Sequence, residues 1–255
     1  MCLIFLSLNN HPQYRLIVAA NRDEFYKRKT APAHFWEDFP HILAGRDLEA
    51  GGTWMGITLQ GKIAMVTNYR DLRNLKPRAP SRGILVSDFL ANGEKPYPYV
   101  CNILSRAPDY NGFNLIAGTV HEMIYYSNIR PEPQQLMPGI YGLSNHLLNT
   151  PWPKVERGKK VFEEIITSKF THRDLLEFLY NDEQAPDELL PDTGVGIERE
   201  RILSAMFIKS PDYGSRCSTI ITIDYDNKVS FTERIFDVPS LEHHDSHFEF
   251  TIQHT

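Results

Sequence analysis

The sequence predicts an α+β fold, a layered antiparallel sandwich covered by helices. Two observations carry this. Strand-like segments follow one another across short turns, as antiparallel hairpins do, and helical segments come in blocks, whereas a parallel doubly wound sheet would need strict alternation of strand and helix. The chain opens with two strand-like segments, Cys2-Leu-Ile-Phe-Leu-Ser-Leu8 and Tyr14-Arg-Leu-Ile-Val-Ala-Ala20, around the turn cluster Asn9-Asn10-His11-Pro12. A turn centred near residue 11 sets Cys2 opposite Ala20 to Arg22 and close to Asp23.

Further strand-like stretches are Thr53 to Leu59 with Lys62 to Tyr69, Phe113 to Val120 with Glu122 to Ser127, and Cys217 to Tyr225 with Lys228 to Ile235. Helical periodicity begins after Ser81, an expected N-cap, with Ile84, Leu85, Phe89 and Leu90 on one face and Gly93 as the stop. More helices are expected over Tyr99 to Arg106, Lys154 to Ile166, Arg173 to Tyr180 and Glu198 to Phe207. Arg130 to Pro138 and Asn181 to Gly196 read as surface loops, and the absence of a repeat or clean boundary predicts one domain over residues 1–255.

Composition narrows the function. The 255 residues carry 27 Lys+Arg against 32 Asp+Glu, a net charge of −5, with 42% apolar residues and 17 prolines. This describes a globular protein with no excess positive charge to draw it onto nucleic acid or anionic lipid. No apolar run reaches the roughly 18–20 residues of a membrane span, and Leu3 to Leu8 is too short for a secretion signal, so a cytoplasmic protein without stable membrane insertion is expected. Three cysteines, at 2, 101 and 217, match neither a disulfide framework nor a Cys-x-x-Cys metal site.

Cys2 stands out. Loss of the initiator methionine is expected before a small residue, and would leave Cys2 with a free α-amino group. An α-amine titrates near pH 8 and can take the proton of its own thiol, so no histidine is required. The alternative is a small apolar residue starting an inward-facing strand. Asp23, delivered beside Cys2 by the hairpin, is placed to hold or orient the amine. Attack on a carbonyl also needs donors to the oxyanion; Asn68 and Asn145 both follow apolar runs, and both are also suited to capping a turn. Arg216, just before the strand Cys217 to Ile221, is placed to orient the thiolate or a substrate carboxylate, or simply to face solvent. Gly45 to Gly56 lacks the Gly-Lys-Ser/Thr of a phosphate loop and reads as a tight hairpin. Glu242-His243-His244-Asp245-Ser246-His247 is the one local concentration of metal-ligand residue types, but its spacing is loose, and a polar turn before the strand-like Phe248 to Ile252 is the simpler reading.

Met1-Cys2, Asn21-Arg22-Asp23-Glu24-Phe25, Gly51-Gly52-Thr53-Trp54-Met55-Gly56, Thr67-Asn68-Tyr69-Arg70 and Gly142-Leu143-Ser144-Asn145, in that order, resemble the NRDE family, also called the transport and Golgi organisation 2 family. That family is similar to the N-terminal nucleophile hydrolases of the bile-salt hydrolase and penicillin V acylase group. The resemblance implies a four-layer αββα sandwich with the nucleophile on an inner strand. It also implies Cys2 as nucleophile, Asp23 as the aspartate holding the amine, Asn145 and Asn68 as oxyanion residues, and Arg216 as the late arginine near the thiol. Those hydrolases carry an arginine three residues before the aspartate, where this chain has Ala20, so Arg22 is the arginine nearby, expected on the opposite strand face from Asp23.

The expected function is therefore an N-terminal cysteine amidohydrolase or acyltransferase acting on a small-molecule amide or acyl thioester. The alternative is a non-catalytic lipid, acyl-CoA or haem binding and trafficking protein on the same fold. The expected partner is a small-molecule substrate or apolar ligand, with no nucleic acid, cofactor or metal, and with homo-oligomer formation left open.

Overall fold

A computed structural model describes residues 2–238 and 240–253. In chain order it contains β1 (Cys2–Leu8), β2 (Tyr14–Phe25), β3 (Thr30–Phe35), β4 (Ile42–Asp47), β5 (Met55–Thr58) and β6 (Ile63–Asn68). There follow α1 (Gly83–Ala91), α2 (Pro96–Ile103), β7 (Phe113–Gly118), β8 (Met123–Ser127), β9 (Arg130–Gln135) and β10 (Gly139–Leu143). The last third holds α3 (Pro153–Thr167), α4 (His172–Leu179), α5 (Ile197–Leu203), β11 (Tyr213–Asp224), β12 (Lys228–Phe236) and β13 (His243–Thr251).

Two antiparallel sheets result, one in the order β10-β1-β2-β11-β12-β13 and the other β3 through β9 in sequence. Their facing surfaces share one apolar core, with Ile4, Leu6, Val18 and Ile221 meeting Leu43, Ile57, Met65 and Ile116. The outer face of the six-stranded sheet packs on α3 and α4 through Leu3, Phe5, Ile17 and Ala19 against Val155, Phe162, Leu175 and Leu179. The other sheet packs on α1 and α2 through Ala64, Val66, Phe113 and Leu115 against Leu85, Phe89, Tyr99 and Val100. The layers thus run helix, sheet, sheet, helix, the α+β sandwich expected.

Covered on both faces, β1 is buried along all seven residues, which is why it reads as a continuous apolar run. Alternate side chains serve the two cores: Leu3 and Phe5 the helices, Ile4, Leu6 and Leu8 the facing sheet. Helix α3 can approach this closely because residue 158 is glycine; a Cβ there would lie 2.2 Å from the Phe5 ring. Asn9 closes the first hairpin with a left-handed φ of 44°, a conformation asparagine tolerates better than most residues. Among the described residues no helix is long and apolar enough to cross a membrane.

Several expected boundaries differ. Residues 130–135 of the expected loop form β9, whose Pro131 and Pro133 are accommodated because an edge strand pairs on one side alone. Strands β3 and β4 were not signalled, since β3 contains Pro32 and β4 contains Gly45. Helix α2 starts at Pro96 rather than Tyr99, proline at the first turn needing no N–H partner. Arg82, not Ser81, stands at the α1 N-cap position, without a side-chain capping bond. The expected polar turn at 242–247 is mostly strand: β13 starts at His243 and pairs with β12 through Arg234–Asp245 contacts of 2.8 Å. Among the described residues no group of three His, Cys, Asp or Glu side chains is arranged to hold a metal.

Candidate active site

The β1–β2 register sets Cys2 directly opposite Arg22, at one end of the window expected from the turn. Both point into the space between the sheets, below Ile4 and Ala20, and the next two residues alternate. Asp23 turns to the helix side, where Ser215 Oγ donates to its Oδ1 at 2.6 Å and the Ile208 N–H donates to that same Oγ at 2.9 Å. Glu24 lines the cavity again, 3.9 Å from Arg22 and 4.0 Å from Arg28, which pairs with Asp47 at 2.7 Å. Asn21, also on the helix side, donates to the Leu179 and Met206 carbonyls and accepts from Ser218 Oγ. The Asn-Arg-Asp-Glu run therefore divides by strand alternation: Asn21 ties β2 to the helical layer, and Arg22 and Glu24 line the cavity.

Cys2, 9% exposed, lies at a cavity of about 460 Å³ with Arg22, Asp23, Trp54, Asn68 and Arg82 in its wall. The Arg22 guanidinium sits 4.3 Å from the Trp54 ring centre, and Trp54 has room for its indole because a Cβ at Gly45 would come within 2.2 Å of it. Arg22 and Trp54 are shared with a second cavity of about 340 Å³, lined also by Ala31, Pro32, Arg216, Cys217, Glu233 and Phe236.

The expected site residues are distributed as follows. Cys2, Arg22 and Asn68 meet at the first cavity, and Asp23 borders it while its carboxylate turns to Ser215 on the helix side. Asn145 is fully buried behind Asn68, its Nδ2 donating to the Asn68 main-chain oxygen at 3.2 Å and to Oδ1 at 3.0 Å. Arg216 is not brought to the thiol: it is the extra residue of a β-bulge between Ser215 and Cys217. Its Nη1 donates to the carbonyls of Phe25, Tyr26 and Arg28, clamping the β2–β3 turn. The cavity residues that sequence reasoning missed are Arg28 and Arg82, with Trp54 visible as part of the glycine-rich motif. Arg28 stands in the β2–β3 turn and Arg82 at the N-cap of α1, neither marked by a local motif.

Burial dominates the electrostatics. It pushes the Cys2 thiol up, helped by the Asp23 carboxylate, while Arg22 and the Asp23 N–H pull it down. Asp23 is pushed up by burial and pulled back by Lys154, the Ser215 hydrogen bond and Arg22. Burial lowers Lys154 to about 8. Cys217 is driven well up by burial and by Glu233, which disfavours its thiolate.

With this geometry in place, the comparisons decide the family. The sequence model of the Transport and Golgi organisation 2 family matches residues 1–238. The chain belongs to that family. It is 41% identical to the human Transport and Golgi organization protein 2 homolog, over 99% of this chain and all of that one. The mouse homolog is 40% identical over the same shares, and the fruit-fly protein 31% identical over 91% of both. Among solved structures, a Caenorhabditis elegans N-acylethanolamine-hydrolyzing acid amidase ortholog superposes with a TM-score of 0.52 at 12% identity, over 86% of this chain and 92% of that one. This family member therefore has the α+β sandwich of the N-terminal nucleophile hydrolases; at that identity the likeness is one of fold.

Proposed function

We propose that the chain is an N-terminal cysteine amidohydrolase or acyltransferase for a small-molecule amide or acyl thioester. The observation that carries the reading is the Cys2 thiol in the wall of a cavity of about 460 Å³, with Asn68 in the same wall and the Asp23 carboxylate buried beside it. That volume falls within the usual range for small-ligand sites.

Once Met1 is removed, the Cys2 sulfur attacks the substrate carbonyl carbon and its proton passes to the Cys2 α-amine, which Asp23 orients. Asn68 has its oxygen occupied by Asn145, leaving its amide nitrogen to donate to the oxyanion. Collapse breaks the C–N or C–S bond; the proton moves from the α-ammonium to the leaving amine or thiolate, and an acyl thioester remains on Cys2. Water or a second nucleophile then releases the acyl group by the same proton route. Arg216 supports the site at a distance by holding the β2–β3 turn.

The test is trapping of an acyl-enzyme. Wild type incubated with a panel of amides and thioesters should gain an acyl mass on the Cys2 peptide, and Cys2→Ala should gain none while melting like wild type. A Cys2→Ala variant with full turnover would remove the thiol from the mechanism.

A second reading, a carrier in which Cys2 stays protonated, is favoured by the burial that pushes that thiol up and by the apolar portion of the second cavity around Ala31, Pro32 and Phe236. Ligand binding by Cys2→Ala, with no turnover by wild type, would support it.

A further inference from the structure

We propose that Arg22 is the recognition residue of the Cys2 site and takes a carboxylate that the substrate carries a few bonds from the carbonyl under attack. The inference deepens the reading of Cys2 as a nucleophile and rests on it for the identity of that carbonyl.

Arg22 is 5% exposed, yet among the described residues its guanidinium donates no hydrogen bond, and its Nη1 is a buried nitrogen without a partner. Its neighbours do not replace one. The Trp54 ring covers the guanidinium at 4.3 Å from the ring centre. Glu24 Oε2 stands 3.9 Å from Nη2, beyond hydrogen-bonding distance, and is shared with Arg28 at 4.0 Å. The other arginines of the two cavities are committed. Arg28 donates twice to Asp47, Arg82 donates to the Gly112 carbonyl, and Arg216 donates to three carbonyls of the β2–β3 turn. A buried charge paired this poorly is costly, and a site keeps such a cost where a ligand completes the pairing.

The first cavity fixes the charge of that ligand. Its wall holds Arg22, Arg28 and Arg82 against Glu24 and Asp47, while the Asp23 carboxylate turns to Ser215 on the helix side. One positive charge remains, which suits a monoanion and not a doubly charged phosphate. With Trp54 on its face, the guanidinium offers its edge, whose parallel N–H groups fit the two oxygens of a carboxylate. The second cavity adds the carboxylates Glu233 and Asp237 and, among the described residues, no further uncommitted cation. The ligand carboxylate therefore belongs on the first-cavity side of Arg22, where Nη2 faces Glu24. Strand register sets it beside the chemistry, because Arg22 lies directly opposite Cys2 and directly opposed residues have Cα atoms about 4.5–5.5 Å apart.

The experiment is calorimetric binding to Cys2→Ala protein, which holds ligand without turning it over, with two matched pairs of probes. N-Hexanoylglycine and N-hexanoylglycinamide carry or lack the carboxylate on the leaving group; succinamic acid and butyramide carry or lack it on the acyl part. In one pair the carboxylate should bind about tenfold to a hundredfold more tightly than its neutral partner, the strength of a charged hydrogen-bonded contact, and the pair that shows this identifies the side. Adding Arg22→Gln should abolish the difference, and adding Arg82→Gln should leave it. The preferred carboxylate should also raise the melting temperature where Arg22 is present and not where it is replaced. Arg22→Met, which strands no hydrogen-bonded partner, serves where the glutamine variant does not fold. Equal binding within both pairs, no binding of either carboxylate, or a preference that survives the loss of Arg22 overturns the role of Arg22. An Arg22-dependent preference in a protein whose wild type forms no acyl-enzyme at Cys2 overturns the nucleophile reading and leaves Arg22 as a carboxylate anchor.

Discussion

Arg70→Met tests the polar cluster beneath the site through stability alone. Arg70 follows β6 by two residues, with Nη1 2.7 Å from Glu200 Oε2, the two side chains 3% and 4% exposed, and its guanidinium 4.7 Å from the Trp152 ring centre. Methionine retains most of the packing volume and removes the charge. Glu200 is left as a buried carboxylate with only the Thr193 donors. Breaking a buried pair from one side costs about 3–5 kcal/mol, most of it from the stranded charge. At about 2–4 °C per kcal/mol for a chain of this size, the melting temperature should fall by about 6–20 °C. Calorimetry and urea titration at pH 7 measure it. Arg70→Met combined with Glu200→Leu should recover most of the loss, because no charge is then stranded. A single-variant cost below about 1 kcal/mol, typical of a surface pair, or a double variant no more stable than the single, would refute the reasoning.

Other outcomes follow from the same structure. Asn68→Ala should slow acylation about 10²–10³-fold as the loss of an oxyanion donor, while Asn145→Ala, which only frees the Asn68 amide, should slow it less; equal effects would place Asn145 at the substrate. His172, bonded to Thr222 and Thr232 and lowered to about 4 by burial and by His247, is protonated more readily in the unfolded chain. Its contribution is whole above about pH 6.5 and is lost as pH falls from there towards 4, by about 2–3 kcal/mol. Urea midpoints from pH 7 to 4 should fall less in His172→Gln, and identical pH slopes in the two proteins would contradict this.

The heart of the site was legible because the first hairpin is local. A turn cluster at Asn9 to Pro12 between two apolar runs leaves little freedom of register, so Cys2 meets Arg22 and Asp23 by arithmetic. The order of layers was also readable from hairpins and helix blocks. What stayed hidden depends on contacts distant in sequence. Lys154 was placed on its helix, but its burial reflects packing against the Leu203 turn. Arg216 leaves the thiol because a bulge, which no residue type announces, re-aims it onto the β2–β3 carbonyls. Asn145 and Asn68 both read as oxyanion residues, and only tertiary packing puts one behind the other. Strand β9 was hidden by prolines that an edge tolerates.

The central claim is an N-terminal thiol nucleophile at Cys2, and the most direct measurement is the intact mass of the purified protein before and after brief treatment with a limiting alkylating reagent, mapped by peptide. The account predicts loss of Met1 and labelling of Cys2 ahead of Cys217, which is buried beside Glu233, and ahead of Cys101 on α2. Retention of Met1, or labelling without preference for Cys2, would contradict it.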